Sequence, residues 1–157
     1  MNKLIAFGCS NTYGEGLPDT WNTGDSRRWH GQPSKFAWPQ LLADKMNLEC
    51  VNMGEGGVSN KYIANLIAET EFQQDDIVVV LWTFFSRSCF FQDDGSVRRI
   101  LSQDISNKNM PRDYRKWNKI YYDKFYTDQD AIKDSYFRIN FAKLYLDSIG
   151  IKNHHYT

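Results

Sequence analysis

Residues Lys3 to Gly14 constrain this chain more than any other segment. A short apolar strand, Leu4 to Phe7, breaks off at Gly8, Cys9 and Ser10, and small or polar residues follow. A serine on the turn after a buried first strand sits at the carboxyl edge of a sheet. That edge is where open α/β folds place their ligands. A hydroxyl held there by a rigid strand is a candidate nucleophile.

The rest of the chain continues the pattern. Residues 17–35 are polar, contain Pro18, Pro33 and the tryptophans Trp21 and Trp29, and read as one long loop. A connection of that length is unusual in a compact domain unless it serves function. The spacing predicts a helix over Phe36 to Met46 with Pro39 in its first turn, and a strand over Leu48 to Met53. A Gly54 to Gly57 turn follows, then a helix over Lys61 to Glu71 with Ser59 as its N-cap. The β-branched run Ile77 to Trp82 reads as a fully buried strand of a parallel sheet. Cys89 to Ile100 reads as a hairpin turning at Asp94-Gly95, 102–114 as polar loop, and Tyr114 to Tyr126 and Ala131 to Ile149 as helices. In the last of these, Ile132, Tyr136, Ile139, Ala142, Leu146 and Ile149 form the expected buried face. Gly150 ends it, and a strand begins at Ile151.

Alternating strands and helices imply a flavodoxin-like α/β fold, three α/β/α layers with a parallel sheet. With 157 residues the chain is expected to form a single domain, 1–157, with a long loop at 17–35 and an insertion at 86–113. The closing βα units of such a sheet are not seen before Thr157. Nineteen basic and nineteen acidic residues cancel, so nothing calls for nucleic acid or an anionic membrane. The longest apolar stretch, Ile77 to Phe85, is too short to span a bilayer. Cys9, Cys50 and Cys89 have no metal spacing and no close pairing, which suggests reduced thiols. With no leader-like N-terminus, the expected location is cytoplasmic.

Three strand ends carry the chemistry: Gly8 to Asn11, Asn52 to Asn60, and Trp82 to Arg87. Together they resemble the SGNH, or GDSL-type, hydrolases, a superfamily of flavodoxin-like ester hydrolases. Phe7 to Gly14 stands in place of the first block, with Ser10 at the nucleophile position and Cys9 where aspartate is usual. Asn52, Gly54 and Gly57 match the second block. The third block lacks its Gly-x-Asn-Asp pattern, and no Asp-x-x-His block occurs anywhere in the chain. The literal triplet Gly24-Asp25-Ser26 follows no apolar strand and is not the motif.

The resemblance implies acyl- or acetyl-ester hydrolysis through a seryl intermediate at Ser10, on a lipid or carbohydrate ester, with no metal or organic cofactor. The backbone N–H of Gly57 would hold the oxyanion. Asn60 is either a further donor or a surface helix residue, and Arg87 either an anion-binding group or a solvated side chain. His30, His154 and His155 are the candidate bases, though no aspartate stands three residues before any of them. Trp21, Trp29 and His30 are expected over the Ser10 edge, as a lid or as loop anchors. Two other readings compete: a binding or structural module that keeps the fold without the chemistry, and a nucleotide binder with a phosphate at Gly54 to Ser59. Oligomeric state leaves no trace in the sequence.

Overall fold

A computed structural model describes residues 2–20 and 31–157. Trp21, Trp29, His30 and the Gly24-Asp25-Ser26 triplet lie outside the described residues.

Four parallel strands form the main sheet: β1 (Lys3–Gly8), β2 (Glu49–Asn52), β3 (Ile77–Leu81) and β6 (Lys152–Tyr156), in the order β2-β1-β3-β6. Ala6 is level with Asn52 on one side and Val79 on the other, and Val79 with His154. Alternation along β1 supplies both faces of the sheet. Ile5 and Phe7 pack with Ile63, Ile67, Val78, Val80, Ala142 and Leu146, beneath the helices α3 (Asn60–Glu69) and α5 (Asp128–Ser148). Leu4 and Ala6 pack with Val79 and Ala43, beneath α2 (Trp38–Met46). The result is the flavodoxin-like α/β/α layering.

Between β3 and α5 the chain builds a two-stranded antiparallel hairpin, β4 (Ser88–Phe91) and β5 (Val97–Ile100), turning at Gly95 with φ +81°. A 3-10 turn (Ser102–Ile105) and the helix α4 (Arg112–Lys124) follow. The span 102–114, expected as plain loop, therefore holds a 3-10 turn and the start of α4. The last strand is a full five residues, in register with the whole of β3.

The apolar helix faces are narrower than their spacing suggests. On α5, Ala142 and Leu146 are buried, but Ile132, Tyr136 and Ile149 are exposed. One helix, α2, packs against its face of the four-stranded sheet, so the β6 residues on that face, such as His154, reach the surface.

Candidate active site

The first block is bent into place by close contacts at Gly8. A Cβ there would lie 2.1 Å from Thr12 Oγ1 and 2.8 Å from the Leu81 carbonyl, so glycine lets β1 press against β3 and turn at once. One helical turn, α1 (Ser10–Tyr13), follows, with Cys9 as its N-cap. Gly14, at φ +86°, closes it by donating to the Ser10 carbonyl, as does Glu15 N–H, both at 2.9 Å. Ser10 is half-buried at the carboxyl edge of the sheet.

The second block is stitched to the first. Asn52 Oδ1 accepts from Gly54 N–H at 2.9 Å, and its Nδ2 donates to the Thr12 carbonyl at 2.7 Å. Glu55 N–H donates to the Gly8 carbonyl at 3.1 Å. Gly57, at φ +73°, turns the chain into α3, where Ser59 Oγ accepts from Tyr62 N–H as the expected N-cap. Among the described residues the N–H groups of Ser10 and Gly57 have no hydrogen-bond partner. Unpartnered backbone donors are what an acyl oxyanion needs.

The third strand end is held by Asn60. Its Oδ1 accepts from Thr83 N–H at 2.8 Å, and its Nδ2 donates to the Thr83 carbonyl and to Ser135 Oγ, both at 3.1 Å. Asn60 is buried, so it is not a surface helix residue, and its two amide hydrogens are already used, so it is not an oxyanion donor. It clamps α3, β3 and α5 together.

Arg87 is the residue of the third segment that lines the same cleft as Ser10. Its Nη1 donates to Thr83 Oγ1 at 3.0 Å and its guanidinium lies over the Phe84 ring, 5.2 Å from the centroid. It also acts on Cys9. Burial pushes the Cys9 thiol up, but hydrogen bonds from the Thr83 side chain and Asn11 backbone, with the Arg87 charge, outweigh it and leave the thiol below its ordinary range. Cys50 and Cys89 are pushed up by burial. Methylthiolation by methyl methanethiosulfonate, followed by peptide mapping against pH, is expected to give Cys9 the lowest titration midpoint of the three. A Cys9 midpoint above that of Cys50 would contradict this.

Ser10, Gly57 and Arg87 all line one open cleft of about 1190 Å³. Its far wall is the inserted segment, with Arg99, Gln103, Asp104, Asn107 and Tyr114. Arg99 pairs with Glu55 and donates to the Gly56 carbonyl at 2.7 Å, tying β5 to the glycine turn. Glu55 also accepts from Tyr62 OH at 2.6 Å.

Neither described candidate base lines that cleft. His155 lies within β6, level with Val80, and stacks on Trp82 with ring centroids 5.8 Å apart. Its Nδ1 accepts from Trp82 Nε1 at 3.1 Å, and its Nε2 sits 3.0 Å from Asn153 Oδ1. Burial, with Lys143 and His154, pulls its pKa down against Asp147, so the neutral ring is a packing element. His154 points to the exposed, opposite face of the strand. Both lie within β6.

Asp104 is the residue that sequence reading missed. It is 3% exposed, lines the cleft, and its Oδ2 has no hydrogen-bond partner. The i, i+3 spacing of Leu101 and Asp104 puts both on the buried side of a 3-10 turn. That spacing is visible in the sequence once a turn, rather than a loop, is recognised there. Among the described residues no cluster of side chains forms a metal site, and no helix is long and apolar enough to cross a membrane.

With fold and cleft defined, comparison with known proteins adds two likenesses. The chain is similar to a protein from Desulfitobacterium hafniense DCB-2 described as lipolytic and of the G-D-S-L family, at 16% identity and a TM-score of 0.37, over 99% of this chain and 77% of that one. It is similar to a lipolytic G-D-S-L family member from Veillonella parvula DSM 2008 at 14% identity and a TM-score of 0.39, over 98% of this chain and 76% of that one. No protein-family model and no curated protein matches the chain.

Proposed function

We propose that the chain is an SGNH-type hydrolase of small acyl or acetyl esters, with Ser10 as nucleophile. The observation that carries this reading is the meeting of the Ser10 hydroxyl and the unpartnered Ser10 and Gly57 N–H groups in one cleft. Ser10 Oγ attacks the ester carbonyl as its proton passes to water in the cleft. The two N–H groups hold the oxyanion, and Arg87 adds positive charge to the same space. The C–O bond to the alcohol then breaks, the alcohol leaves with a proton, and water releases the acyl group. The residues need no metal or organic cofactor for these steps.

A serine at its ordinary pKa is a weak nucleophile, and a positioned base contributes about 10²–10⁴-fold. Among the described residues no histidine lines the cleft. Hydrolysis of 4-nitrophenyl acetate is therefore expected to be slow, and Ser10→Ala is expected to remove it. Fast hydrolysis abolished by Ser10→Ala would reveal a base, and His30→Ala is the variant that would then identify it. Equal background rates in both proteins would overturn the hydrolase reading. A cleft whose described lining carries no histidine also fits a binding module that keeps the cleft without turnover.

A further inference from the structure

We infer that the groove between the hairpin and α4 is a second ligand site, for a small aromatic or otherwise apolar monocarboxylate. This site stands whether or not the cleft performs acyl transfer.

Alternation along β5 separates the groove from the cleft. Arg99 lines the cleft, and its neighbours Arg98 and Ile100 line the groove on the other face. Phe90, level with Arg98 on β4, shares that face. Trp117, Ile120 and Tyr121 of α4, with Phe125 just after it, supply the facing wall. The groove has a volume of about 630 Å³, within the usual range of small-molecule sites. Phe90, Trp117 and Phe125 are 49%, 55% and 71% exposed, so their rings have apolar area left to cover.

Arg98 supplies the recognition. Its guanidinium lies over two rings, 5.4 Å from the Tyr114 centroid and 5.6 Å from that of Trp117. Stacking occupies the flat face of a guanidinium and leaves its N–H groups, which lie in the plane, free to donate. Among the described residues none of these N–H groups has an acceptor, and no carboxylate pairs with Arg98. Such a fork takes a carboxylate through two parallel hydrogen bonds. A side chain already held by rings also loses less freedom on binding.

Charge favours an anion. Lys61 Nζ lies 5.9 Å from the Phe90 centroid, and α4 carries five basic against two acidic residues. The neutral total of the chain hides this local excess. Arg98 and Asp130 are the charged residues of the lining, and no ion pair joins them. Asp130 repels a dianion, such as a phosphate monoester, more than a monoanion. That difference selects a carboxylate, and the apolar walls select the body that carries it.

Isothermal titration with 2-naphthoate tests the site without relying on turnover. Saturable binding is expected in the native chain and in Ser10→Ala. Arg98→Gln is expected to weaken it about 10–100-fold, the usual worth of hydrogen bonds to a charged group. Phe125→Ser, at an exposed position, is expected to weaken it too, and keeps the test open if Arg98→Gln folds poorly. The neutral isostere 2-naphthamide should bind more weakly and be indifferent to Arg98→Gln. 2-Naphthyl phosphate should also bind more weakly, and Asp130→Asn should narrow that gap. The site would be overturned by 2-naphthoate that fails to bind the native chain, or binds both variants unchanged. Equal affinity for 2-naphthamide would overturn it too. So would loss of binding in Arg87→Gln with Arg98→Gln unaffected, which places the anion in the cleft. Sedimentation showing a dimer that Phe125→Ser breaks and 2-naphthoate does not would assign the groove to a second copy and end the proposal.

Discussion

Gly54→Ala is expected to destabilise the chain by about 3 kcal/mol, the upper end of ordinary overpacking costs. An added Cβ would lie 2.5 Å from Tyr13 N and 2.8 Å from Thr12 C, both backbone atoms. Backbone in a one-turn helix tied down by Asn52 cannot give way as a side chain would. In a chain of this length each kcal/mol moves the melting temperature by roughly 2–4 °C, so the loss is roughly 6–12 °C. Relief of the clash would push α1 outward, so Ser10 should also lose reactivity. Gly56→Ala is the control. Its Cβ would meet only the tip of the Glu15 side chain, at 3.2 Å, and a change of about 0.5 kcal/mol or less is expected. Thermal melts that rank the two variants equally would contradict the tight packing of the two blocks.

Asn60→Ala is expected to cost about 2–4 kcal/mol, because it leaves Thr83 N–H, the Thr83 carbonyl and Ser135 Oγ without their shared partner. The readout separates a clamp from an oxyanion donor. Loss of a clamp lowers the midpoint of denaturant unfolding; loss of a donor lowers turnover and leaves that midpoint alone. A stable Asn60→Ala chain with reduced turnover would restore Asn60 to the oxyanion site.

The sequence exposes what depends on short-range pattern. The β-branched run at β3, the serine cap of α3 and the break after Phe7 all have local causes, and all appear where the pattern puts them. Gly57 and Ser10 were readable together because both follow parallel strands, and parallel topology sends both to one edge. What depends on distant partners stayed hidden. Asn60 looks like any residue near a helix start until Thr83, 23 positions away, and Ser135, 75 positions away, close on it. His155 looks like a candidate base until Trp82 donates to it across 73 positions. Asp104 is legible only once a 3-10 turn is recognised there, and the approach of the inserted segment to the glycine turn rests on distant partners. A Cβ at Gly57 would lie 3.2 Å from Leu101 Cδ1, which shows how close that approach is. The exposed Ile132 and Tyr136 show the opposite error, since helical spacing marks an apolar face but not whether a neighbour covers it.

The central claim is that Ser10 is a nucleophile presented to the cleft by the β1 turn. Treatment with a fluorophosphonate probe, followed by intact mass and peptide mapping, tests it most directly, because the probe reports a reactive serine even where turnover is slow. One adduct per chain is expected, on Ser10, absent from Ser10→Ala and unaffected by His154→Ala or His155→Ala. An adduct on another residue, or none on a folded chain, would contradict it.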